Sequence, residues 1–234
     1  MLREPFTIDS YVHVIKRGAR GLNIFQDKDD MNRCMLMLRH FNDSSLSQNW
    51  YRDLVDEGLV GVFERPESWG KQDPLVTILA YTLMPNHFHL LLKEVKEGGI
   101  PTFMNKLGKG MTQYANAKYR QRGSMFQGPY RSKVVEDDLY FKSAGMYIMV
   151  KNVFELYPSG LRGALRNFEK AYTWALSYKY SSFPDYNGQK DSPVINKELL
   201  GELFPTPEDF KTFAKDYILG RAVDDEIQAN ASFE

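Results

Sequence analysis

Apolar and polar residues alternate along Tyr11-Val12-His13-Val14-Ile15-Lys16-Arg17, a period of two that predicts a strand. A loop, Gly18-Ala19-Arg20-Gly21, follows it. Asp27 is placed to cap a helix starting at Lys28, in which Met31, Cys34, Met35, Leu38 and Phe41 recur at three and four residues. Residues 42–74 are irregular and rich in Ser, Asp, Gly and Pro, with a short helix expected near 50–57, and read as an insertion. The runs 76–83 and 90–92 are aliphatic, aromatic or β-branched and predict two strands broken by Pro85-Asn86. Gly98-Gly99-Ile100-Pro101 breaks the chain. Residues 102–122 then predict a helix with Phe103, Leu107, Met111, Tyr114 and Ala115 on one side, ended by Gly123-Ser124. Residues 125–135 read as an extended basic and aromatic segment, and Asp137-Asp138 opens a helix carrying Phe141, Ala144, Tyr147, Ile148 and Lys151. From Pro158 onward the pattern is helical with loops, and its acidic end is expected to fray.

These elements imply an α+β fold, an antiparallel sheet with helices packed on it. Residues 1–155 form the main domain, with 42–75 inserted, and 156–234 a mostly helical extension with an acidic tail. At 234 residues, 43% hydrophobic and 26% charged, the composition is ordinary for a globular chain. The single Cys34 excludes an internal disulfide and a cysteine-based zinc cluster and fits a reducing compartment. No apolar run approaches membrane-spanning length and no signal-peptide core is visible, so the expectation is a cytoplasmic protein with no membrane partner. The formal net charge of zero hides an asymmetry. Residues 101–133 hold seven basic and no acidic side chains, and 191–234 hold ten acidic against four basic. A segment this basic points to a polyanionic partner; the other reading is a solvated helix face paired with acids elsewhere in the fold.

The sharpest chemistry lies in Met84-Pro85-Asn86-His87-Phe88-His89-Leu90-Leu91-Leu92, which holds two of the four histidines. On a strand His87 and His89 point the same way, about 7 Å apart, and can converge on one cation. On a helix they would diverge by about 200°. Two imidazoles in an apolar strand are costly to bury unless each finds a partner, and a metal supplies one partner to both. The alternative is a pair of partly buried histidines bonded to backbone or a carboxylate.

The stretch Pro85-Asn86-His87-Phe88-His89-Leu90-Leu91 resembles the HUH motif of the single-tyrosine transposases, most closely their REP-associated branch. Supporting matches are residues 11–18, the run Ser124-Met125-Phe126-Gln127-Gly128-Pro129-Tyr130-Arg131-Ser132, the helix holding Tyr147, and a weaker echo at 180–186. The resemblance covers roughly residues 8–155. It implies a ferredoxin-like core of the RNA-recognition type and a divalent ion, Mg or Mn, held by His87 and His89. It also implies a tyrosine attack on single-stranded or hairpin DNA that leaves a 5′-phosphotyrosine and a free 3′-OH. Tyr147 is the implied nucleophile, with Tyr114 as runner-up. Relatives carry Asn or Gln one turn after the tyrosine as a third ligand. Here that position is Lys151, a candidate charge stabiliser, with Asn152 beside it as the candidate ligand if the helix is offset. Candidate DNA contacts are Arg17, Lys106, Lys109, Lys118, Arg120, Arg122, Gln127, Arg131 and Lys133 for the strand and its phosphates, and Phe126 and Tyr130 for stacking bases, with core packing the equal alternative for Phe126. A homodimer is compatible, since some relatives build composite sites across one. Two other function classes remain open: a catalytically silent DNA-hairpin binder, and a metal-dependent phosphodiesterase that uses water.

Overall fold

In a computed structural model describing residues 5–231, the alternating stretch near the start is a strand, β1 (Tyr11–Arg17). It is followed by α1 (Lys28–His40), α2 (Trp50–Asp56), β2 (Val76–Met84), β3 (His87–Glu94), α3 (Gly99–Tyr119) and β4 (Arg131–Val134). The described strands form one sheet in the order β2-β3-β1-β4, with β1 antiparallel to both of its neighbours. With helices between β1 and β2 and between β3 and β4, this is the split β-α-β arrangement of a ferredoxin-like fold, as the α+β reading expects. Next come α4 (Asp138–Met146), a π-turn (Tyr147–Lys151), α5 (Asn152–Glu155), α6 (Gly160–Arg166), α7 (Phe168–Leu176), α8 (Phe183–Tyr186), α9 (Glu198–Glu202) and α10 (Pro207–Ala231). No described helix is long and apolar enough to cross a membrane. The expected fraying of the acidic end falls partly on residues 232–234, outside those described.

The chain divides into two compact units, one of residues up to 79, 85–135 and 193–196, the other of 80–84, 136–192 and 197 onward. The boundary expected near 155 is therefore corrected to 135/136, with a short contribution from β2. The reason is aromatic packing. Phe154, just after the π-turn, lies 5.8 Å from Phe168 and 6.4 Å from Phe183, so α4 and α5 share their core with the later helices. In this second unit the edge of β2 is covered, as exposed edges require. Ser182 and Tyr81 exchange backbone and hydroxyl hydrogen bonds, and the Leu83 N–H donates to the Tyr180 carbonyl at 2.9 Å. The echo at 180–186 is thus a strand-edge cover followed by α8.

In the first unit Val12, Val14, Phe88, Leu90 and Leu92 are fully buried, and β3 packs with α3, which holds the fully buried Phe103 and Leu107. The helix α3 begins three residues before the expected start. Glu94, at the end of β3, is buried and accepts from the Gly99 and Ile100 N–H groups at 3.0 and 2.7 Å. Its carboxylate caps the helix from outside, and Pro101 falls in the first turn, where a missing N–H costs nothing. Gly99 has to be glycine, because a Cβ there would run into the Leu75 carbonyl. The helix stops at Tyr119 because Arg120 turns left-handed, at φ 52°. Of the extended run 125–135, only β4 is strand.

The expected cap is present: the Asp27 side chain accepts from the Asp30 N–H at 3.0 Å. Residues 42–74 are irregular apart from α2 and a 3-10 turn at Glu67–Trp69. His40, at the end of α1, is fully buried beside the rings of Trp69 (5.4 Å) and Trp50 (6.5 Å), and neither ring nitrogen has a hydrogen-bond partner. Burial, then the charges of Arg39 and Arg65, lower its pKa to about 4. The unfolded chain therefore binds more protons than the folded one between about pH 6.5 and 4. The stability His40 brings in its neutral form is complete above 6.5 and is lost as the pH falls through that window. Replacing His40→Leu removes two unpaired polar atoms. In urea unfolding at pH 7 and pH 5 the variant should lose about 2 kcal/mol less than the parent between the two conditions.

Candidate functional site

The register of β1 on β3 sorts the side chains. Arg17 faces His87, Ile15 faces His89, and His13 faces Leu91; on the other side of β1, Ile15 faces Arg131 and His13 faces Lys133. Because side chains alternate, Val12, Val14, Phe88, Leu90 and Leu92 take the helix-covered face. The opposite face receives His13, His87, His89, Arg17, Arg131 and Lys133. His87 and His89 therefore share a face, as the spacing requires, with ring centres 5.0 Å apart. A third imidazole joins them. His13 Nε2 lies 2.9 Å from His89 Nδ1 and the two ring centres are 5.2 Å apart. His13 was legible only as a strand residue; its signal was its alternation on a strand that pairs with the His-bearing one.

The ring nitrogens decide whether these residues fit a divalent ion. Asn86 Oδ1 lies 2.6 Å from His87 Nδ1. An amide oxygen only accepts, so Nδ1 carries the proton and Nε2 keeps the lone pair. Burial, then the charge of Lys133, lower the His13 pKa to about 4, so His13 is neutral at pH 7 and shares one proton with His89. With that proton on His89 Nδ1, His89 is basic at Nε2, as His87 is. Partners on the far nitrogens are the usual support of metal-binding imidazoles, so the pair fits a divalent ion. Among the described residues no cluster of three or more His, Cys, Asp or Glu is placed to hold a metal, so His87 and His89 gain no third ligand of these types.

Beside the imidazoles, residues 124–130 are pinned to the end of β1. The Gln127 N–H donates to the Arg17 carbonyl at 3.0 Å, Gly18 bridges Phe126, and the Gly18 N–H donates to the Asn86 carbonyl at 2.8 Å. A Cβ on Gly18 would collide with the Leu22 carbonyl, so this close approach needs glycine. The result is a cavity of about 470 Å³ whose lining includes Ile15, Arg17, Gln127, Tyr130 and Arg131. Four of the expected DNA contacts meet in one place.

Others do not. Phe126 is 5% exposed, edge-on to Phe88 at 6.3 Å and under the Lys16 ammonium at 4.6 Å. It is a core residue, so of its two readings the structure favours packing over base stacking. Lys118 pairs with both Asp27 and Asp30 at 2.7 Å, which raises its pKa well above the usual lysine range. It ties α3 to the cap of α1, so its expected phosphate contact is corrected. Lys106 donates to the carbonyls of Asp43 and Ser44. Lys109, Arg120 and Arg122 are exposed but do not line the cavity. Tyr114 lies 4.9 Å from the Arg33 guanidinium in the first unit.

Tyr147, Lys151 and Asn152 belong to the second unit. There the helix takes one extra residue in its turn: the Asn152 N–H bonds to the Tyr147 carbonyl five residues back, not to Ile148. The extra residue brings position i+5 toward the face of Tyr147. Lys151 lies 4.9 Å from the Tyr147 ring centre and pairs with Glu155 at 2.6 Å. Asn152 is fully buried, and both polar atoms of its amide lack a hydrogen-bond partner. Such orphaned atoms cost free energy in a static fold and gather at functional positions.

Residues 70–151 match the family model described as transposase, IS200-like, so the resemblance seen in the sequence holds over the stretch from β2 to the π-turn. No curated protein matches the chain. Among solved structures, a REP-associated tyrosine transposase bound to a REP hairpin is similar at 12% identity, over 82% of this chain and 87% of that one, with a TM-score of 0.45.

Salt titration of binding to a single-stranded oligonucleotide separates the two classes of cation. Arg131→Ala should weaken binding and reduce the slope of log K against log salt by about 0.7. Lys118→Ala should leave that slope unchanged and lower the melting temperature. A slope change in Lys118→Ala would return that lysine to the candidate DNA contacts.

Proposed function

We propose that the protein nicks and rejoins single-stranded DNA, including DNA that carries hairpins, through a covalent tyrosine intermediate and with a divalent ion, Mg or Mn. The observation that supports this most is that His87 and His89, each with its far nitrogen engaged, share a sheet face with Arg17 and Arg131, which with Tyr130 line the neighbouring cavity. The match of residues 70–151 to IS200-like transposases supports it independently.

His87 and His89 would hold the ion, which when bound would stabilise the negative charge on the phosphoryl oxygens of the scissile group. Arg17 and Arg131 hold flanking phosphates, for which guanidinium forks are suited, and Tyr130 offers a ring to a base. The Tyr147 hydroxyl attacks phosphorus. A bond forms from the tyrosine oxygen to phosphorus, the bond from phosphorus to the 3′ oxygen breaks, the phenol proton leaves, and the departing oxygen gains one. The fragment with the 5′ phosphate stays on Tyr147, and the other fragment of the same strand leaves with a 3′-OH. Lys151 acts as a nearby cation for the charge that develops, since its ammonium already lies against the Tyr147 ring. The phosphotyrosine link conserves the energy of the broken bond, so rejoining reverses the same step without a nucleotide cofactor.

A second reading, a silent hairpin binder, is favoured by one observation: Lys151 is already paired with Glu155. Incubation with single-stranded DNA from the flanks of its own gene, with Mn, followed by a denaturing gel distinguishes the readings. The expected result is a covalent adduct that disappears in Tyr147→Phe and in His87→Ala. An adduct that survives Tyr147→Phe moves the nucleophile, with Tyr114 next to be tested. Free ends without an adduct would mean attack by water, and binding without cleavage would mean the silent binder.

A further inference from the structure

An α-helix through Ile148 would pair the Ile148 carbonyl with the Asn152 N–H, four residues on. The π-turn sends that N–H to Tyr147 instead, so the Ile148 carbonyl loses its helical donor. A buried carbonyl in that position needs another partner. It has one from outside the helix: the Thr82 hydroxyl, on β2, lies 2.6 Å from the Ile148 oxygen and 2.9 Å from its own neighbour's carbonyl, Tyr81 O. Thr82 is fully buried, as are Ile148 and Asn152, so no water competes for the carbonyl. Thr82 is also fixed at the backbone, because the strand around it bridges Ser181 and is bonded on either side to residues 180 and 182. All of these groups belong to the second unit. The shorter of the two contacts is the one to the helix.

We infer that Thr82 is a positioning residue. By taking the carbonyl that the extra residue sets loose, its hydroxyl holds the π-turn and fixes where Tyr147, Lys151 and Asn152 stand relative to one another. Without that donor the turn relaxes toward α-helix, which satisfies Ile148 through Asn152 and rotates Asn152 away from the face of Tyr147. Thr82 makes no contact with substrate. It acts through the helix, and its catalytic consequence rests on the reading of Tyr147 as nucleophile.

The test uses the full chain and compares Thr82→Val, which keeps the shape and loses the hydroxyl, with Thr82→Ser, which keeps the hydroxyl and loses the methyl. The readout is the single-turnover rate of adduct formation at saturating oligonucleotide with Mn, beside the dissociation constant for the same DNA. The expected result is a fall of about 10- to 100-fold in rate for Thr82→Val with the dissociation constant unchanged, and recovery of the rate in Thr82→Ser. An unchanged rate in Thr82→Val, or a serine variant as slow as valine, overturns the inference. If the valine variant does not fold, Thr82→Ala takes its place in the same comparison. A wild-type chain that forms no adduct overturns the function reading instead. Thr82 is then judged by hydrogen exchange at the Asn152 amide. Acceleration on the order of 10-fold in Thr82→Val supports its hold on the turn, and unchanged exchange refutes it.

Discussion

The antiparallel pairing of β1 with β3 decides which side chains can meet. Seven residue pairs, from Tyr11 with Lys93 to Arg17 with His87, set the register, and every polar group of interest in the first unit inherits its place from them. A slip of one residue would turn every side chain of β1 to the other face. His13 would then point toward α3, and the buried Val12 and Val14 would take its place. The register is held by what it buries. Val12, Val14, Phe88, Leu90 and Leu92 are all removed from solvent on one side, and burial of each such side chain is worth roughly 1.5–3 kcal/mol. The polar face is thus specified by the apolar face behind it. The turn at Pro85-Asn86 adds a second lock, since the Gly18, Ile24 and Phe25 N–H groups all donate to its two carbonyls.

Period-two features were legible for this reason. Alternation in 11–17 and the apolar runs around Pro85-Asn86 define strands, and a strand places His87 and His89 together without further information. Asp27 and Asp137 as caps were equally readable, because a cap is a local bond between a side chain and an N–H three residues on. What escaped were features fixed by partners distant in sequence. His13 meets His89 across 76 residues. Lys118 meets Asp27 and Asp30 across about ninety, so a charge count alone assigned it to a polyanion. Phe126 looked like a stacking ring because its neighbours are basic, whereas the bridge between Gly18 and residue 126 turns it into the core. Glu94 moved a helix start by three residues by capping from outside the helix.

The tyrosine-bearing helix shows the same limit in another form. Reading Lys151 as the residue one turn after Tyr147 assumes a uniform helical period. The period changes at that point, and the extra residue has no local sequence signature because its carbonyl is satisfied by a threonine more than sixty positions earlier. The residue one turn after Tyr147 on its face therefore shifts from Lys151 toward Asn152 through backbone geometry. Holding a π-turn is unfavourable unless the freed carbonyl is paired, and such turns persist where a specific side chain arrangement depends on them.

The histidines show why electrostatics alone does not mark a site. His13 and His40 are both pushed to about 4, in each case first by burial and then by nearby cations. A reading based on perturbed protonation would rank them together. Their surroundings separate them. His40 sits against two tryptophan rings with both nitrogens unpaired, an arrangement that supplies bulk to the 42–74 segment and costs stability when protonated. His13 has its Nε2 against another imidazole that shares a face with a third, beside arginines that line a cavity. Desolvation keeps both rings neutral. Only for His13 does neutrality have a use, since a neutral ring can accept a hydrogen bond from His89 Nδ1–H, which leaves the His89 lone pair on Nε2, where a cation would bind.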